Sequence, residues 1–209
     1  MAQQFVGFYW TLPVYWAEFR DLPVDITAAA EASKTIRYQR RRVQRYVDEE
    51  RGELIEEIAF MDVRTDRATE VVEAELRRRV TRYAGAATLV SVAFDLHHRW
   101  RHNPYLHAAV DAIGIRSMTL TPDPIELDGQ LFDPIVHFAR WRGRDAEAKE
   151  RLRYEANAGL LQALHEIPAR RGRWAEIAAL LNARNVRSIH GKAWSAEGVR
   201  KHTTRLDGA

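Results

Sequence analysis

The chain has 209 residues, 46% of them hydrophobic, with 32 Lys and Arg, 29 Asp and Glu and a formal net charge of +3. That length is enough for one good hydrophobic core and a small second domain. The absence of cysteine excludes disulfides and thiolate chemistry and fits a cytoplasmic protein. No apolar run is long enough to span a membrane and no signal peptide is evident, so we expect neither membrane insertion nor secretion.

Strands and helices alternate along the first half of the chain. The predicted strands are short apolar or β-branched runs, and the predicted helices place apolar residues on one face. The aromatic and β-branched run at residues 5–14 is bounded by Pro13, so it predicts a strand that enters a loop there. Further strands are predicted at residues 53–60, 87–94 and 116–120, and helices at residues 28–51, 67–83 and 104–113. This alternation is typical of an α/β fold with a mostly parallel sheet and helices on both faces. Ligands of such sheets bind at the carboxyl ends of the strands, which are here the loops after Trp10, Phe60, Phe94 and Leu120.

Arginines cluster on the predicted helix at residues 28–51. They are Arg37, Arg40, Arg41, Arg42 and Arg45. A basic helix face can bind DNA, but we favour a solvated face whose arginines pair with the acidic residues at 48–50.

A long helix rich in Ala, Glu, Arg and Leu is predicted at residues 144–166. Its apolar stripe consists of Leu152, Ala156, Gly159, Leu160, Ala163 and Leu164. Such a stripe fits either a dimerisation helix or a connector between domains. We therefore predict an α/β domain at residues 1–143, the long helix at 144–167 and a small C-terminal domain at 168–209.

The C-terminal domain has the pattern of two short helices joined by a turn. The apolar face of the first helix consists of Trp174, Ile177, Ala178 and Leu181. Residues 182–191 contain the turn formers Asn, Ser and Gly, and Ser195 is a good N-cap for the second helix. A second helix rich in Arg, Lys and Thr is typical of a helix-turn-helix that reads the major groove. The alternative is a helical hairpin that only packs on its own domain.

Positive charge is concentrated in this domain. Residues 168–209 hold nine Lys and Arg against three Asp and Glu, a net charge of +6, whereas residues 1–167 hold 23 against 26, a net charge of −3. Phosphate binding requires such a local excess of positive charge. We predict contacts with double-stranded DNA from Arg170, Arg171, Arg173, Lys192, Ser195, Arg200, Lys201, Thr203 and Thr204. The three arginines at 170–173 form an arm that lies along the backbone or in the minor groove, or is only a solvated linker.

Metal and cofactor sites have little support in the sequence. Residues 95–103 contain an aspartate and three histidines, but His97 and His98 are adjacent and point in different directions in a helix or a strand. No HxxxH pair with a following acid is present there, no cysteine is available, and no glycine-rich nucleotide-binding loop occurs. We predict no metal, no cofactor and no small-molecule substrate.

These patterns together resemble the serine recombinase family of the resolvase and invertase type. The DNA-binding domain of its large members begins with an Ile-Ala pair, a Leu-Asn pair and then Gly-Lys-x-Trp-Ser before a helix. The matching residues here are Ile177, Ala178, Leu181, Asn182, Gly191, Lys192, Trp194 and Ser195. The resemblance implies a resolvase-like catalytic domain at residues 5–120, with Gln39 near a helix start and the long helix at 144–166 in their family positions.

The chain departs from the family at the positions that carry its chemistry. The family ends its first strand in Tyr-x-Arg-x-Ser, and that serine attacks the phosphodiester. Aligned on Tyr9, this chain has Thr11 at the arginine position and Pro13 at the serine position. The second family signature, Asp-Arg-Leu-x-Arg, falls at residues 95–99, where Leu96 replaces an arginine. The resemblance therefore implies a scaffold without the nucleophile and without two of the arginines that stabilise the transition state.

We predict a cytoplasmic, nucleoid-associated homodimer that binds DNA in a regulatory or architectural role, within a mobile or phage-derived element. One alternative is an active recombinase whose nucleophile is displaced to Thr11 or Ser33. A second alternative is an interaction module whose C-terminal hairpin binds a protein.

Overall fold

The computed structural model describes residues 2–64, 67–94 and 103–207 and divides into two units, Met1–Ala139 and Arg140–Ala209. The first unit contains a four-stranded sheet of β1 (Gln4–Thr11), β2 (Glu53–Met61), β3 (Ala87–Val92) and β4 (Arg116–Leu120). The strands lie in the order β2-β1-β3-β4, and all three pairings are parallel. The predicted α/β class with a parallel sheet and flanking helices is thereby confirmed.

Both faces of the sheet are covered by helices. One face carries α1 (Ile26–Ala32) and α2 (Lys34–Glu49), and the other carries α3 (Val71–Val80) and α4 (Pro104–Ile113). Side chains alternate along β1, because successive residues of a strand point to opposite faces. Phe5 and Tyr9 join the cluster under α1 and α2, whereas Val6, Phe8, Trp10 and Leu12 join the cluster under α3 and α4. Burial on two faces explains why β1 and β3 are almost continuously apolar.

The predicted helix at 28–51 is two helices that meet at Ser33. Ser33 has extended backbone angles, φ −129° and ψ 111°, so it cannot continue α1. Its backbone N–H closes α1 by donating to the carbonyl of Ala29, while its Oγ accepts from the backbone N–H of Ile36, 3.3 Å away, and opens α2. One serine therefore acts as the last cap of one helix and the first cap of the next.

The first strand ends close to the boundary predicted at Pro13. β1 stops at Thr11, and the chain turns through a one-turn 3-10 helix at Tyr15–Ala17, closed by a single bridge between Val14 and Phe19. Pro13 lacks the N–H that a central strand needs to donate.

A short antiparallel hairpin of β5 (Ile125–Leu127) and β6 (Gln130–Phe132) was not predicted. Its two-residue turn, Asp128-Gly129, has φ of 55° and 73°, as the tightest hairpin turns require. Three-residue strands are too short to show a period of two, so the Asp-Gly pair is the sequence signal that identifies them.

Most of the arginine cluster on α2 is committed to ion pairs within the first unit. The pairs are Arg37–Asp128 at 2.6 Å, Arg40–Glu57 at 3.0 Å, Arg42–Asp123 at 3.2 Å and Arg45–Glu49 at 2.8 Å. Of these, only Arg45 finds its partner among residues 48–50, so the expected set of partners was wrong for the other three. The partners lie on β2 and around the hairpin because the fold brings these distant segments onto α2.

The long helix, α5 (Pro134–Glu166), has 33 residues and begins ten residues before the predicted start. Asp133 caps it, because its Oδ1 accepts from the backbone N–H groups of Ile135 at 2.8 Å and Val136 at 3.2 Å, and Pro134 occupies the first turn. The boundary between the two units falls within this helix, after Ala139.

Gln39 connects α2 to the central strand through a buried amide. Its Nε2 donates to the carbonyl of Trp10 at 2.8 Å, and its Oε1 accepts from the backbone N–H of Trp10 at 3.1 Å. The pairing of β1 with β3 ends at Gly7, so these backbone groups lie beyond the reach of that ladder. The side chain of Gln39 is completely buried.

We expect Gln39→Leu to lower the free energy of unfolding by about 2–4 kcal/mol, because it removes both hydrogen bonds from the Gln39 amide to the buried backbone of Trp10. Gln44→Leu is the matched control, since Gln44 is on the same helix and makes no side-chain hydrogen bond to the described residues. Urea titration measures both variants. Equal effects of the two substitutions would contradict this role for Gln39.

Candidate nucleic-acid interface

The second unit is built from the C-terminal part of α5 together with α6 (Arg173–Ala183) and α7 (Ala196–Asp207). Its buried core consists of Ala156, Leu160, Ala163, Ile177, Ala178, Leu181, Trp194 and Val199. The predicted stripe on the long helix is therefore buried at Ala156, Leu160 and Ala163 within the second unit. Those three residues are not available for a contact between two copies of the chain.

The connection between α6 and α7, residues 184–195, is ordered by its own hydrogen bonds. The backbone N–H of Val186 donates to the carbonyl of Leu181 at 2.9 Å, and Asn185 adopts a left-handed φ of 56°. Further along, the backbone N–H of Ser188 donates to the carbonyl of Lys192 at 2.9 Å. The connection is longer than the three or four residues of the simplest helix-turn-helix motifs.

Asn182 fixes the far end of this connection. Its Nδ2 donates to the carbonyl of Trp194 at 2.9 Å, and its Oδ1 accepts from the backbone N–H of Trp194 at 2.8 Å. The indole of Trp194 is buried in the core of the unit, edge-on to the His202 ring at 5.6 Å between centroids. The last residues before α7 are therefore held on two sides.

Ser195 caps α7 as predicted. Its Oγ accepts from the backbone N–H of Gly198 at 3.0 Å, and its carbonyl accepts from the N–H of Val199 at 2.9 Å. The cap does not use the hydroxyl proton of Ser195, which can therefore be donated to another acceptor.

One face of α7 is turned to solvent. Val199 and Thr203 are buried on the inner side. The opposite side carries Glu197, Arg200, Lys201 and Thr204, spaced by three, four and seven residues, and all four are exposed. Side chains at this spacing share one helix face and can contact one ligand.

Two of the predicted contact residues do not lie on an open surface. Thr203 is only 8% exposed, and its Oγ1 donates to the carbonyl of Val199 at 3.0 Å, so its hydroxyl is engaged on the inner side of α7. Arg173 is half-buried, and its guanidinium donates to the carbonyl of Leu164 at 2.6 Å at the end of α5. Arg173 therefore completes the C-terminal turn of that helix, and the prediction that it contacts DNA is not supported.

The other predicted cations are exposed. Arg170 pairs with Glu176 at 2.5 Å across the start of α6. Arg171 and Lys192 form no ion pair with a carboxylate of the described residues. Arg187, which was not predicted, is likewise exposed and unpaired within the described chain, and its place in the 184–195 connection is the signal that could have identified it.

Glu197 lies on the exposed face of α7, and the sequence analysis did not predict it as a functional residue. Its Oε1 lies 2.8 Å from the guanidinium of Arg200 and 3.3 Å from Nζ of Lys201. These hydrogen bonds to Arg200 and Lys201 hold the pKa of the Glu197 carboxyl at about 2. The spacings of three and four residues on a helix are a readable signal for such pairs.

A cleft in the first unit lies at the carboxyl ends of β1 and β2, the edge at which parallel sheets bind their ligands. This cleft has a volume of about 510 Å³ and includes Pro13, Asp62 and Arg79 in its lining. Asp62 is 2% exposed and accepts from the backbone N–H of Val63 at 2.7 Å and from the N–H and hydroxyl of Thr69 at 2.8 and 2.7 Å. Its carboxylate is therefore occupied in holding the loop after β2.

Neither alternative nucleophile is placed for attack on DNA. Thr11 is 2% exposed, and Ser33 is 6% exposed with its hydroxyl in the cap of α2. Leu96, Arg99 and most of the histidine-rich segment at 95–103 lie outside the described residues. The part of the chain that the structure describes contains no group of three or more His, Asp or Glu that could hold a metal, and none of its helices is both long and apolar enough to cross a membrane.

Comparisons with models of protein families, with curated protein sequences and with solved structures gave no match.

Gly159 allows the 184–195 connection to pack closely against α5. A Cβ built on Gly159 would lie 2.8 Å from Cγ1 of Val186, whereas one built on Gly143 of the same helix would meet nothing within 4 Å. We expect Gly143→Ala to stabilise the protein by up to about 1 kcal/mol through helix propensity. Gly159→Ala should instead destabilise it by about 1–3 kcal/mol through overpacking, as measured by thermal unfolding. Stabilisation by both substitutions would show that Val186 does not press on α5.

His202 makes the second unit sensitive to pH. Its Nε2 lies 2.7 Å from Oδ1 of Asn157, and burial lowers its pKa below the ordinary 6.5, with further contributions from Arg205 and His190. Between the folded and unfolded pKa values only the unfolded chain binds the proton. The contribution of His202 to stability is therefore fully present above pH 6.5. It is lost as the pH falls from 6.5 through the lower pKa that His202 has in the folded protein.

We expect His202→Gln to reduce this loss of stability, because glutamine does not titrate. Urea titrations at about pH 7.5 and about pH 5.5 measure the fall in unfolding free energy for each protein. The other histidines contribute equally to both proteins, so the difference between the two falls reports on His202. The same fall in unfolding free energy for both proteins would contradict the role of His202.

Proposed function

We propose that this chain is a DNA-binding protein that contacts double-stranded DNA through α7 and the 184–195 connection. The observation that carries the proposal is the exposed basic surface formed there. Arg200 and Lys201 project from the outer face of α7, and Lys192 and Arg187 project from the connection before it. The +6 net charge of residues 168–209 is the electrostatic requirement for binding phosphates.

The residues of the family motif have mechanical roles that support this proposal. Asn182 and Trp194 hold the approach to α7, and Ser195 caps it. A recognition helix has to be presented rigidly, because a small misplacement removes its hydrogen bonds to base edges. The resemblance to the serine recombinase family thus coincides with the residues that set the position of α7.

The scaffold is proposed to act without strand exchange, in a regulatory or architectural role. Pro13 stands at the family's nucleophile position and has no group that could attack a phosphodiester. Thr11 and Ser33 are both buried, which argues against a displaced nucleophile. We keep a homodimer on the nucleoid as part of the proposal, since two copies of α7 would read two half-sites of an inverted repeat.

The primary test is selection of sheared genomic DNA on the purified full-length protein at physiological salt, followed by sequencing. Enrichment of discrete sites, above all inverted repeats, supports a specific dimeric binder, and uniform retention supports an architectural one. No retention at physiological or at low salt would overturn the proposal and favour a hairpin that binds protein.

We expect the double variant Arg200→Ala/Lys201→Ala to weaken DNA binding and to reduce the slope of log K against log salt by about 1–2, because each cation removed from the field of the phosphates contributes at most about 0.9 and Lys201 is the phosphate contact of the two. The matched control is Arg41→Ala/Arg45→Ala, which removes the same charge from the exposed surface of α2. Fluorescence anisotropy at several salt concentrations measures both. Equal slopes for the two double variants would place the contact elsewhere.

A further inference from the structure

The outer face of α7 combines its two cations with a carboxylate that neutralises half of their charge. Glu197 is in the first turn of the helix, and its Oε1 faces both the Arg200 guanidinium at 2.8 Å and the Lys201 ammonium at 3.3 Å. The three side chains are exposed by 54%, 55% and 66%. An anion in the first turn stabilises α7 through the helix dipole, but it weakens phosphate binding, because it repels the phosphates and competes for the cations.

The carboxylate is also held in place before any DNA arrives. Arg200 donates to Glu197 twice, from Nε at 3.0 Å to Oε2 and from the terminal nitrogen at 2.8 Å to Oε1. This fork-shaped contact sets the carboxylate and the guanidinium side by side in one plane. An acceptor therefore stands next to a donor fork on the open face of a helix end.

This arrangement of acceptor and donor matches one base pair of the major groove. Cytosine presents an amino donor there, whereas guanine presents two acceptors, N7 and O6. A carboxylate accepts from the cytosine amino group, and arginine binds the guanine edge with two donors. An A·T pair presents the adenine amino donor between two acceptors, so it lacks the two adjacent acceptors that arginine binds on guanine. A phosphate offers the carboxylate no donor at all.

We propose that Glu197 is a specificity-determining residue that selects a cytosine beside the guanine bound by Arg200, and that it suppresses binding of α7 to DNA of unrelated sequence. The proposal rests on the proposed function of α7. In the free protein Glu197 occupies Arg200 and Lys201, and phosphates have to displace it. At a C·G pair the displaced carboxylate accepts from the cytosine amino group. This new hydrogen bond offsets the loss of its contacts with Arg200 and Lys201, which other base pairs beside Arg200 do not offset.

Three variants of the full-length chain separate the two parts of the proposal. Glu197→Gln removes the charge and keeps the shape, whereas Glu197→Asp keeps the charge and withdraws the carboxylate by one methylene. Glu176→Gln is the matched control, because it removes the same charge from the same unit and releases Arg170 from its 2.5 Å ion pair. The probes are a pool of random-sequence duplexes, sequenced after selection, and one unselected duplex for salt titration.

The wild-type protein should enrich a C·G pair at a fixed position of its selected sites. Glu197→Gln should lower that preference by about tenfold and raise affinity for the unselected duplex by about threefold. Glu197→Asp should lose the preference without that rise. Glu176→Gln should keep the wild-type preference, because Glu176 lies outside α7.

Retention of the wild-type preference by Glu197→Gln would overturn the inference and leave the proposed function intact. Wild-type binding without any base preference would do the same, since it leaves nothing for Glu197 to select. A wild-type protein that retains no duplex even at low salt would instead overturn the proposed function and this inference with it.

Discussion

The position of α7 depends on one carboxamide. The two hydrogen bonds from Asn182 to the backbone of Trp194 join the last turn of α6 to the residue just before the cap of α7. Eleven residues, 183–193, lie between these two points, and a loop of that length loses considerable conformational entropy when it is ordered. The clamp, the buried indole of Trp194 and the close approach of Val186 to Gly159 fix that loop. The exposed face of α7 follows from them.

The first unit uses the same device in a different setting. Gln39 clamps both backbone groups of Trp10 from a helix, as Asn182 clamps those of Trp194. In each case an amide is used because it supplies one donor and one acceptor at the spacing of a peptide group. The comparison also shows how charge is divided between the units. Arginines of α2 form ion pairs within the first unit, whereas several cations of residues 168–209 are exposed to solvent.

The sequence was sufficient to predict elements with a strong period or a clear cap. The four strands, α4 and the two C-terminal helices were found because their apolar residues repeat over several turns or run continuously. The split of the first helix at Ser33 was missed, since an apolar stripe passes across a single extended residue without interruption. The partners of Arg37 and Arg42 could not be predicted, because Asp128 and Asp123 approach α2 only in the folded chain. Composition shows which residue types α7 carries but not which face each one occupies. The spacing of four residues between Val199 and Thr203 is the signal that places Thr203 on the inner face.

The order of the strands has a consequence for how the chain reaches its folded state. In the parallel sheet Gln4 lies opposite both Glu53 and Ala87, so its first strand cannot be paired until distant parts of the chain have been brought together. The helices of residues 140–209 form their backbone hydrogen bonds locally, and the contact between His202 and Asn157 joins residues 45 apart, against 83 for Gln4 and Ala87 in the sheet, so less loop entropy is lost. We therefore expect the unit of residues 140–209 to fold well before the sheet is complete. During synthesis the order of emergence is the reverse of this order of folding, because the slowly folding first unit leaves the ribosome before the second. Its apolar strands remain unpaired for longer, which exposes the nascent chain to aggregation.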